Sequence, residues 1–225
     1  MISAVQYGKI NTQRIEDSLT SSVFDHLFLF PDDLFYSVLR NSCYSNSLPE
    51  FMGNIEKHEF WPQWDASKTT RTSYIEPDLF IRFNDFDLII EAKRWDNNQQ
   101  YLLQWKNEYI AYMNEYAEDE KKVFILAIGG INDENEENIT VQDYGTIKVV
   151  KCRWRVILDT LTDLVSELEK NYYVNNNYLM RIANITITAL ELHGYIKIKW
   201  LKDIVNNYKI DYNNSMSSIE NWRIS

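Results

Sequence analysis

The sequence has few of the residues that form cross-links or hold soft metals. Its 225 residues include only two cysteines and three histidines. Neither Cys43 nor Cys152 lies in a Cys-x-x-Cys motif or a Cys/His cluster, so we expect two free thiols in a reducing cytosol. With so few soft ligands, a zinc site is not expected.

Long apolar runs and an excess of positive charge are also missing. No run approaches the roughly 20 apolar residues that span a bilayer, and residues 1–10 lack the basic start and apolar stretch of a signal peptide. We therefore expect a cytoplasmic protein without a membrane partner. The formal net charge of −10 argues against a protein that coats nucleic acid nonspecifically. It leaves room for an enzyme that meets nucleic acid in a local basic groove.

The composition is that of an ordinary globular protein, with 45% hydrophobic and 25% charged residues. Hydrophobic periodicity predicts helices at 12–30, 32–40, 97–116, 154–170 and 173–193. It predicts strands at 57–61, 76–83, 86–93, 123–128 and 146–151. This order predicts an α/β fold, a three-layer α/β/α sandwich with a central mixed sheet. We expect a core at 1–155 and a C-terminal helical extension at 156–225, packed on the core as one continuous domain.

The most informative segment is a hairpin that carries two acids and a lysine. Glu76-Pro77-Asp78 is followed by Glu91-Ala92-Lys93, and Asn84-Asp85 between them predicts a two-residue turn with positive φ. That turn sets Asp78 opposite Glu91, where like charges repel. Two opposed acids between apolar strands require a cation, provided that the register does not slip by one residue.

Strand alternation places Glu91 and Lys93 on one face, with Asp78 joining them from across the ladder. Oxygen ligands without nearby Cys or His suit Mg²⁺ or Mn²⁺. Such an ion neutralises charge that develops on a phosphate, and an adjacent ammonium stabilises the same charge. The alternative is a Glu–Lys surface pair on an edge strand, with Asp78 capping the strand start. Asp85 and Asp87 are expected to be turn residues.

Pro77-Asp78 and Glu91-Ala92-Lys93, with the hairpin between them, resemble the motif of the PD-(D/E)xK nuclease superfamily. The resemblance covers about residues 12–152 and implies the restriction-endonuclease-like fold. It implies that Asp78 and Glu91 bind a metal ion with help from the carbonyl of Ala92. It also implies that Lys93 supports the attacking water.

The resemblance further implies an acid on the first helix and a glutamine on the helix after the lysine strand. We favour Glu16 for the acid, as a further metal ligand, because it shares the helix edge that turns toward the sheet. Asp17 is a close alternative. Gln104 is the first candidate for the glutamine and Gln100, one turn earlier, is the second.

These observations favour a metal-dependent nuclease that hydrolyses phosphodiester bonds, in DNA rather than RNA. The resemblance suggests a setting in mobile elements or phage defence, and leaves open a homodimer or a partner subunit. The rival is a catalytically inactive module with the nuclease fold that binds a protein or nucleic-acid partner. The acidic runs 118–120 and 133–137 are expected to be solvated loop ends. Basic residues expected to meet phosphates are Lys68, Arg71 and Arg94, and in a second patch Lys148, Lys151, Arg153 and Arg155.

Overall fold

The computed structural model describes residues 15–95, 98–170 and 176–197. The helices are α1 Ile15–Leu27, α2 Asp32–Ser42, α3 Leu102–Tyr116, α4 Trp154–Lys170 and α5 Asn177–Leu192. The strands are β1 Ile55–Phe60, β2 Trp64–Asp65, β3 Tyr74–Ile75, β4 Leu79–Phe83, β5 Phe86–Ala92, β6 Lys122–Ile128, β7 Glu137–Val141 and β8 Gly145–Cys152. The start of the helix predicted at 12–30 lies outside the described residues.

The main sheet has six strands in the order β1-β4-β5-β6-β8-β7, and β2 and β3 form a separate two-stranded sheet. Strands β5, β6 and β8 are parallel, while β1, β4 and β7 pair antiparallel with their neighbours. Side chains of α1, α2, α4 and α5 share one core with one face of the sheet, and α3 covers the other face. The predicted α/β sandwich with a mixed central sheet is confirmed.

Strand β5 lies in the interior because five of its seven side chains are apolar, and each of the seven residues is buried. Leu88 and Ile90 belong to the core beneath α1, whereas Ile89 belongs to the core beneath α3. Since side chains alternate along a strand, Glu91 lies on the α3 face with Ile89. The sheet therefore presents its acids toward α3.

The hairpin register agrees with the prediction. Leu79 pairs with Ile90 and Ile81 with Leu88, the pairing that a two-residue turn at Asn84-Asp85 requires. The predicted positive φ is wrong, because neither turn residue adopts it. The turn is instead held from outside: the amide of Asn84 donates to the carbonyl of Asn54 at 3.0 Å, and the Asn84 side-chain oxygen accepts from the Asn54 amide at 2.6 Å.

Asp87 was predicted to be a turn residue, and this prediction is wrong. Asp87 is a fully buried member of β5. Its carboxylate accepts from the guanidinium of Arg82 at 2.7 Å and from the hydroxyl of Tyr112 at 2.8 Å. Because a buried carboxylate is stable only with such partners, Asp87 needs no further cation. It is the reference against which the other buried acids of the same face can be judged.

The helix predicted at 97–116 begins only at Leu102. The amides of Gln99 and Gln100 donate to the carbonyl of Gly130 at 2.9 and 3.1 Å. These contacts tie residues 99–100 to the end of β6, so the chain turns into α3 only afterwards. Gln100 consequently precedes the helix instead of lying one turn inside it.

Residues 133–136 form a largely exposed loop, as predicted, but their acids also pair with basic residues. Glu137 opens β7, an edge strand absent from the predicted elements. The acids of this run pair with three of the four residues of the second predicted basic patch, Lys148, Lys151 and Arg153, which are thus not free to meet phosphates. The ion pairs are Lys148–Glu136 at 3.1 Å, Lys151–Glu137 at 2.6 Å, Lys151–Asp133 at 3.1 Å and Arg153–Glu134 at 2.8 Å.

The C-terminal helices pack into the same core as the sheet. Ile157 and Leu161 of α4 and Leu190 of α5 are buried there with Ile90. A domain boundary near residue 155 stays a prediction. In the ranges that the structure describes, no helix combines the length and apolar character of a membrane span.

Candidate active site

Two buried acids lie close together at the open end of the hairpin, opposite its turn. Asp78 precedes β4 and Glu91 lies near the end of β5, and they are only 8% and 2% exposed. A carboxylate oxygen of Asp78 accepts a hydrogen bond from the backbone amide of Ala92 at 2.8 Å. That bond extends the contact between the strands beyond the ladder and fixes Asp78 beside the residue that follows Glu91.

Lys93 connects helix α1 with these buried acids. Its ammonium donates to an oxygen of Glu91 and, at 3.2 Å, to an oxygen of Glu16 on α1. The other oxygen of Glu16 accepts from the backbone amide of Arg94 at 3.0 Å. Of the two candidate helix acids, Glu16 is therefore the one that the fold joins to Lys93.

Glu108 on α3 is a further buried acid, and the sequence reasoning did not single it out. It is 1% exposed, and neither of its oxygens has a hydrogen-bond partner in the described part of the chain. It lies close enough to Glu91, Asp78 and Gln104 for each to influence its pKa. The available signal was its spacing, four residues beyond Gln104 on the same helix face.

The two candidate glutamines have different positions. The side-chain amide of Gln100 donates to the carbonyls of Glu91 at 2.9 Å and Gly129 at 3.3 Å, and its oxygen accepts from the indole of Trp105 at 2.9 Å. Gln100 thus holds the backbone of the site. Gln104 instead lines an open cleft beside Glu108.

The buried acids are only partly compensated. Burial, followed by repulsion from Glu91, raises the pKa of Asp78 well above its usual range. Burial, followed by repulsion from Glu108, does the same to the pKa of Glu91. Burial alone would lower the pKa of Lys93, but the surrounding carboxylates raise it above its usual value, so Lys93 stays charged. A single ammonium therefore faces three buried carboxyl groups.

The donor set fits a hard divalent cation. Burial raises the pKa of Glu108 to about 7. Among the described residues no donor meets its oxygens in good hydrogen-bond geometry, whereas Asp87 has two such partners. All candidate ligands are oxygens, as Mg²⁺ and Mn²⁺ prefer. In the described ranges no three Asp, Glu, His or Cys side chains are arranged so that they could already hold a metal ion. The ammonium of Lys93 forms an ion pair with Glu91 in this arrangement. Asp78, Glu91 and Glu108 are the residues that would hold the ion, and roles for Glu16 and the Ala92 carbonyl stay predictions.

We expect Glu108→Gln to change how stability depends on pH in the absence of metal. The folded-state pKa of about 7 exceeds the ordinary 4.5, so the native state binds more protons between these values. Stability is then lost as pH rises through that window, by at most about 3 kcal/mol. Glu108→Gln should raise the melting temperature at pH 8 and leave it unchanged at pH 4, as measured by circular dichroism.

Glu169→Gln is the matched control, since Glu169 is an exposed acid of α4. It should leave both melting temperatures at their wild-type values. An equal effect of Glu108→Gln at the two pH values would show that the carboxyl group of Glu108 does not titrate abnormally.

A tight glycine turn supports Lys93 from the neighbouring strand. The amide of Lys93 donates to the carbonyl of Ile128 at 2.7 Å. The next residue, Gly129, has φ +67°, and a Cβ there would lie 2.3 Å from the carbonyl oxygen of Lys93. That carbonyl also accepts from the indole of Trp154 at 2.9 Å. The backbone of Lys93 is thus fixed by both the sheet and α4.

Gly129→Ala is expected to destabilise the protein by about 3 kcal/mol or more, since left-handed strain of about 1–2 kcal/mol is joined by a backbone clash. Gly194→Ala is the control, because Gly194 also has positive φ (+94°) but no atom within 4 Å of its added Cβ. Chemical denaturation measures both. If the two variants lose equal stability, Gly129 does not support the Lys93 backbone as described.

A cleft of about 720 Å³ opens beside the acids, between α3 and the segment 70–76. Its wall is held by a reciprocal pair of bonds: the amide of Thr70 donates to the Asn107 oxygen at 3.2 Å, and the Asn107 amide donates to the Thr70 hydroxyl at 2.7 Å. Arg71, Gln104 and Glu108 all line this cleft. The open groove therefore extends to Glu108, one of the three buried acids.

Comparison with known proteins adds a relative without a stated activity. No protein-family model matches the chain. The uncharacterized protein PM0110 of Pasteurella multocida (strain Pm70) is 28% identical over 236 residues, which cover 92% of this chain and 86% of that protein. The similarity extends along most of both chains but assigns no function to either.

Proposed function

We propose that the protein is a metal-dependent nuclease that hydrolyses phosphodiester bonds, with DNA as the favoured substrate. The supporting observation is that Asp78, Glu91 and Glu108 meet around the ammonium of Lys93 at the end of the hairpin strands, beside an open cleft. The predicted motif residues and Glu16 are thus together in space. Their shared location favours the interpretation drawn from the resemblance over an isolated surface ion pair.

A bound Mg²⁺ or Mn²⁺ would supply Lewis-acid polarisation of the phosphate and a more acidic water. Asp78, Glu91 and Glu108 would contribute the negative oxygens that hold it. Lys93 has three N–H donors, of which Glu16 and Glu91 accept two in this arrangement. The third can orient a water toward the phosphate or bond a non-bridging phosphate oxygen.

Phosphodiester hydrolysis in such a site consumes only water as a second reactant. The water oxygen bonds to phosphorus, and the bond from phosphorus to the leaving sugar oxygen breaks. The water gives one proton to solvent, and the leaving sugar oxygen takes one proton from solvent. The charge that develops on the phosphate lies beside the Lys93 ammonium, which is where an electrostatic contribution to catalysis is largest.

Incubation of the purified protein with labelled single- and double-stranded DNA and RNA tests the proposal. Cleavage is expected in Mg²⁺ or Mn²⁺ and not in EDTA. If none of the four substrates is cut in either metal, the proposal fails.

The rival function, an inactive module that binds a partner, has one observation in its favour. The Lys93 ammonium lies against Glu91, and the described residues offer no ready metal-ligand group. Calorimetric titration with Mn²⁺ separates the two functions. A nuclease of the proposed kind should bind Mn²⁺ with an affinity that Glu91→Gln abolishes, whereas the module should show no specific binding.

A further inference from the structure

We propose that the cleft beside Glu108 is a binding groove for single-stranded nucleic acid, in which Tyr74 and Tyr101 stack on bases and Arg71 contacts a phosphate. The inference rests on the proposed nuclease function and names the form of its substrate. All three side chains line the cleft that ends at Glu108.

The groove has two exposed aromatic side chains, although most large aromatics among the described residues are buried. Tyr74 is 45% exposed and Tyr101 is 63% exposed, and they lie on different elements that line the cleft, β3 and the loop before α3. In contrast, Trp61 and Trp64 are buried. Exposed aromatic rings beside a charged site are the usual platform for unpaired bases.

Arg71 supplies the positive charge that such a groove needs. Its guanidinium has no ion-pair partner within the described ranges, whereas Arg82, Arg153 and Lys151 are paired with acids. The neighbouring Thr70 is bonded through both its amide and its hydroxyl to Asn107 of α3. The backbone that carries Arg71 is therefore held against the helix before any ligand binds.

Single-stranded nucleic acid fits these features better than a duplex. In a duplex the bases are stacked on each other and unavailable to protein rings, whereas unpaired bases can be splayed onto aromatic side chains. A duplex also presents two phosphate backbones, and binding it strongly takes several lysines or arginines. This protein carries a net charge of −10 and pairs Lys148, Lys151 and Arg153 of its second basic patch internally, so stacking must supply most of the affinity.

Fluorescence anisotropy with a labelled oligothymidylate of about 12 nucleotides and a duplex of equal length tests the inference. Binding is measured on the full chain in EDTA and again in Ca²⁺. The single strand should bind at least about tenfold more tightly than the duplex, and Tyr74→Ala and Tyr101→Ala should each weaken its binding about tenfold. Tyr101→Phe, which keeps the ring, should retain wild-type affinity.

The controls lie on α5, away from the cleft. Tyr178→Ala removes a tyrosine that is likewise about half exposed and should leave the affinity unchanged. Arg71→Gln should reduce the slope of log affinity against log salt by about 0.7, and Arg181→Gln should not. Equal binding of single strand and duplex, or tyrosine variants within about twofold of wild type, would overturn the inference.

Failure of this inference is distinguishable from failure of the nuclease proposal. A protein that binds the single strand with these variant effects but never cleaves it has the groove without the activity. A protein that cleaves duplex DNA at the same rate with and without Tyr74 and Tyr101 has the activity without the groove.

Discussion

Asp78→Asn is expected to abolish metal-dependent cleavage and, at the same time, to raise the melting temperature of the metal-free protein. The asparagine oxygen can still accept the Ala92 amide that Asp78 binds at 2.8 Å, so the local structure should persist. The negative charge that would hold a metal ion is lost, and cleavage should fall by a factor of about a hundred or more.

The stabilisation follows from the electrostatics of the buried acids. Burial and then Glu91 raise the pKa of Asp78 above its ordinary value, so the folded protein is destabilised by this group as pH rises through the ordinary pKa toward the raised one. A neutral side chain avoids that loss. A gain of about 1 kcal/mol corresponds to about 2–4 °C for a chain of this size. Because Asp78 is neutral in both states below its unfolded pKa, the gain should vanish at low pH.

Thermal melts in EDTA at neutral pH and cleavage assays in Mn²⁺ measure the two effects of Asp78→Asn. Asp163→Asn is the control, since Asp163 is exposed on α4 and should change neither result. A lower melting temperature would mean that the Asp78 charge is compensated in the folded protein. Undiminished cleavage would remove Asp78 from the proposed site.

Lys93→Met should also abolish cleavage, but with the opposite effect on stability. The ammonium of Lys93 contacts both Glu91 and Glu16. Its removal leaves a buried carboxylate without its partner, which costs about 3 kcal/mol at a pH where the acids are ionised. The melting temperature in EDTA should therefore fall by roughly 6–12 °C.

A second substitution distinguishes loss of the charge pair from loss of packing. Adding Glu91→Gln to Lys93→Met removes the unpaired carboxylate, so the double variant should recover most of the melting temperature while remaining inactive. Lys148→Met, which breaks a more exposed ion pair with Glu136 at 3.1 Å, should cost less than about 1 kcal/mol. If the double variant melts as low as Lys93→Met, the destabilisation does not arise from Glu91.

Local sequence signals were sufficient for the hairpin that carries the acids. The two-residue turn and the alternation of side chains fix which residues face each other, so Asp78, Glu91 and Lys93 could be assigned to one site before their contacts were known. Their joining to Glu16 followed from the helix edge that turns toward the sheet. The turn conformation itself was missed, because Asn54 holds it from a distant part of the chain.

Glu108 and strand β7 depended on information that is not local. The face that α3 presents to the sheet is set by where the helix begins, and that is decided by the contacts of Gln99 and Gln100 with Gly130. The ion pairs of the acids at 133–137 could not be predicted, because their partners on β8 and in the residue after it follow only later in the chain. Pairing of distant charges can be identified only once the sheet order is known.

The central claim is that the buried carboxylates beside Lys93 form a divalent-metal site. An anomalous difference map from crystals soaked in Mn²⁺ tests it most directly. The account predicts a manganese peak bound by the carboxylates of Asp78 and Glu91. A map without density at either carboxylate, with Lys93 still paired to Glu91, would contradict it.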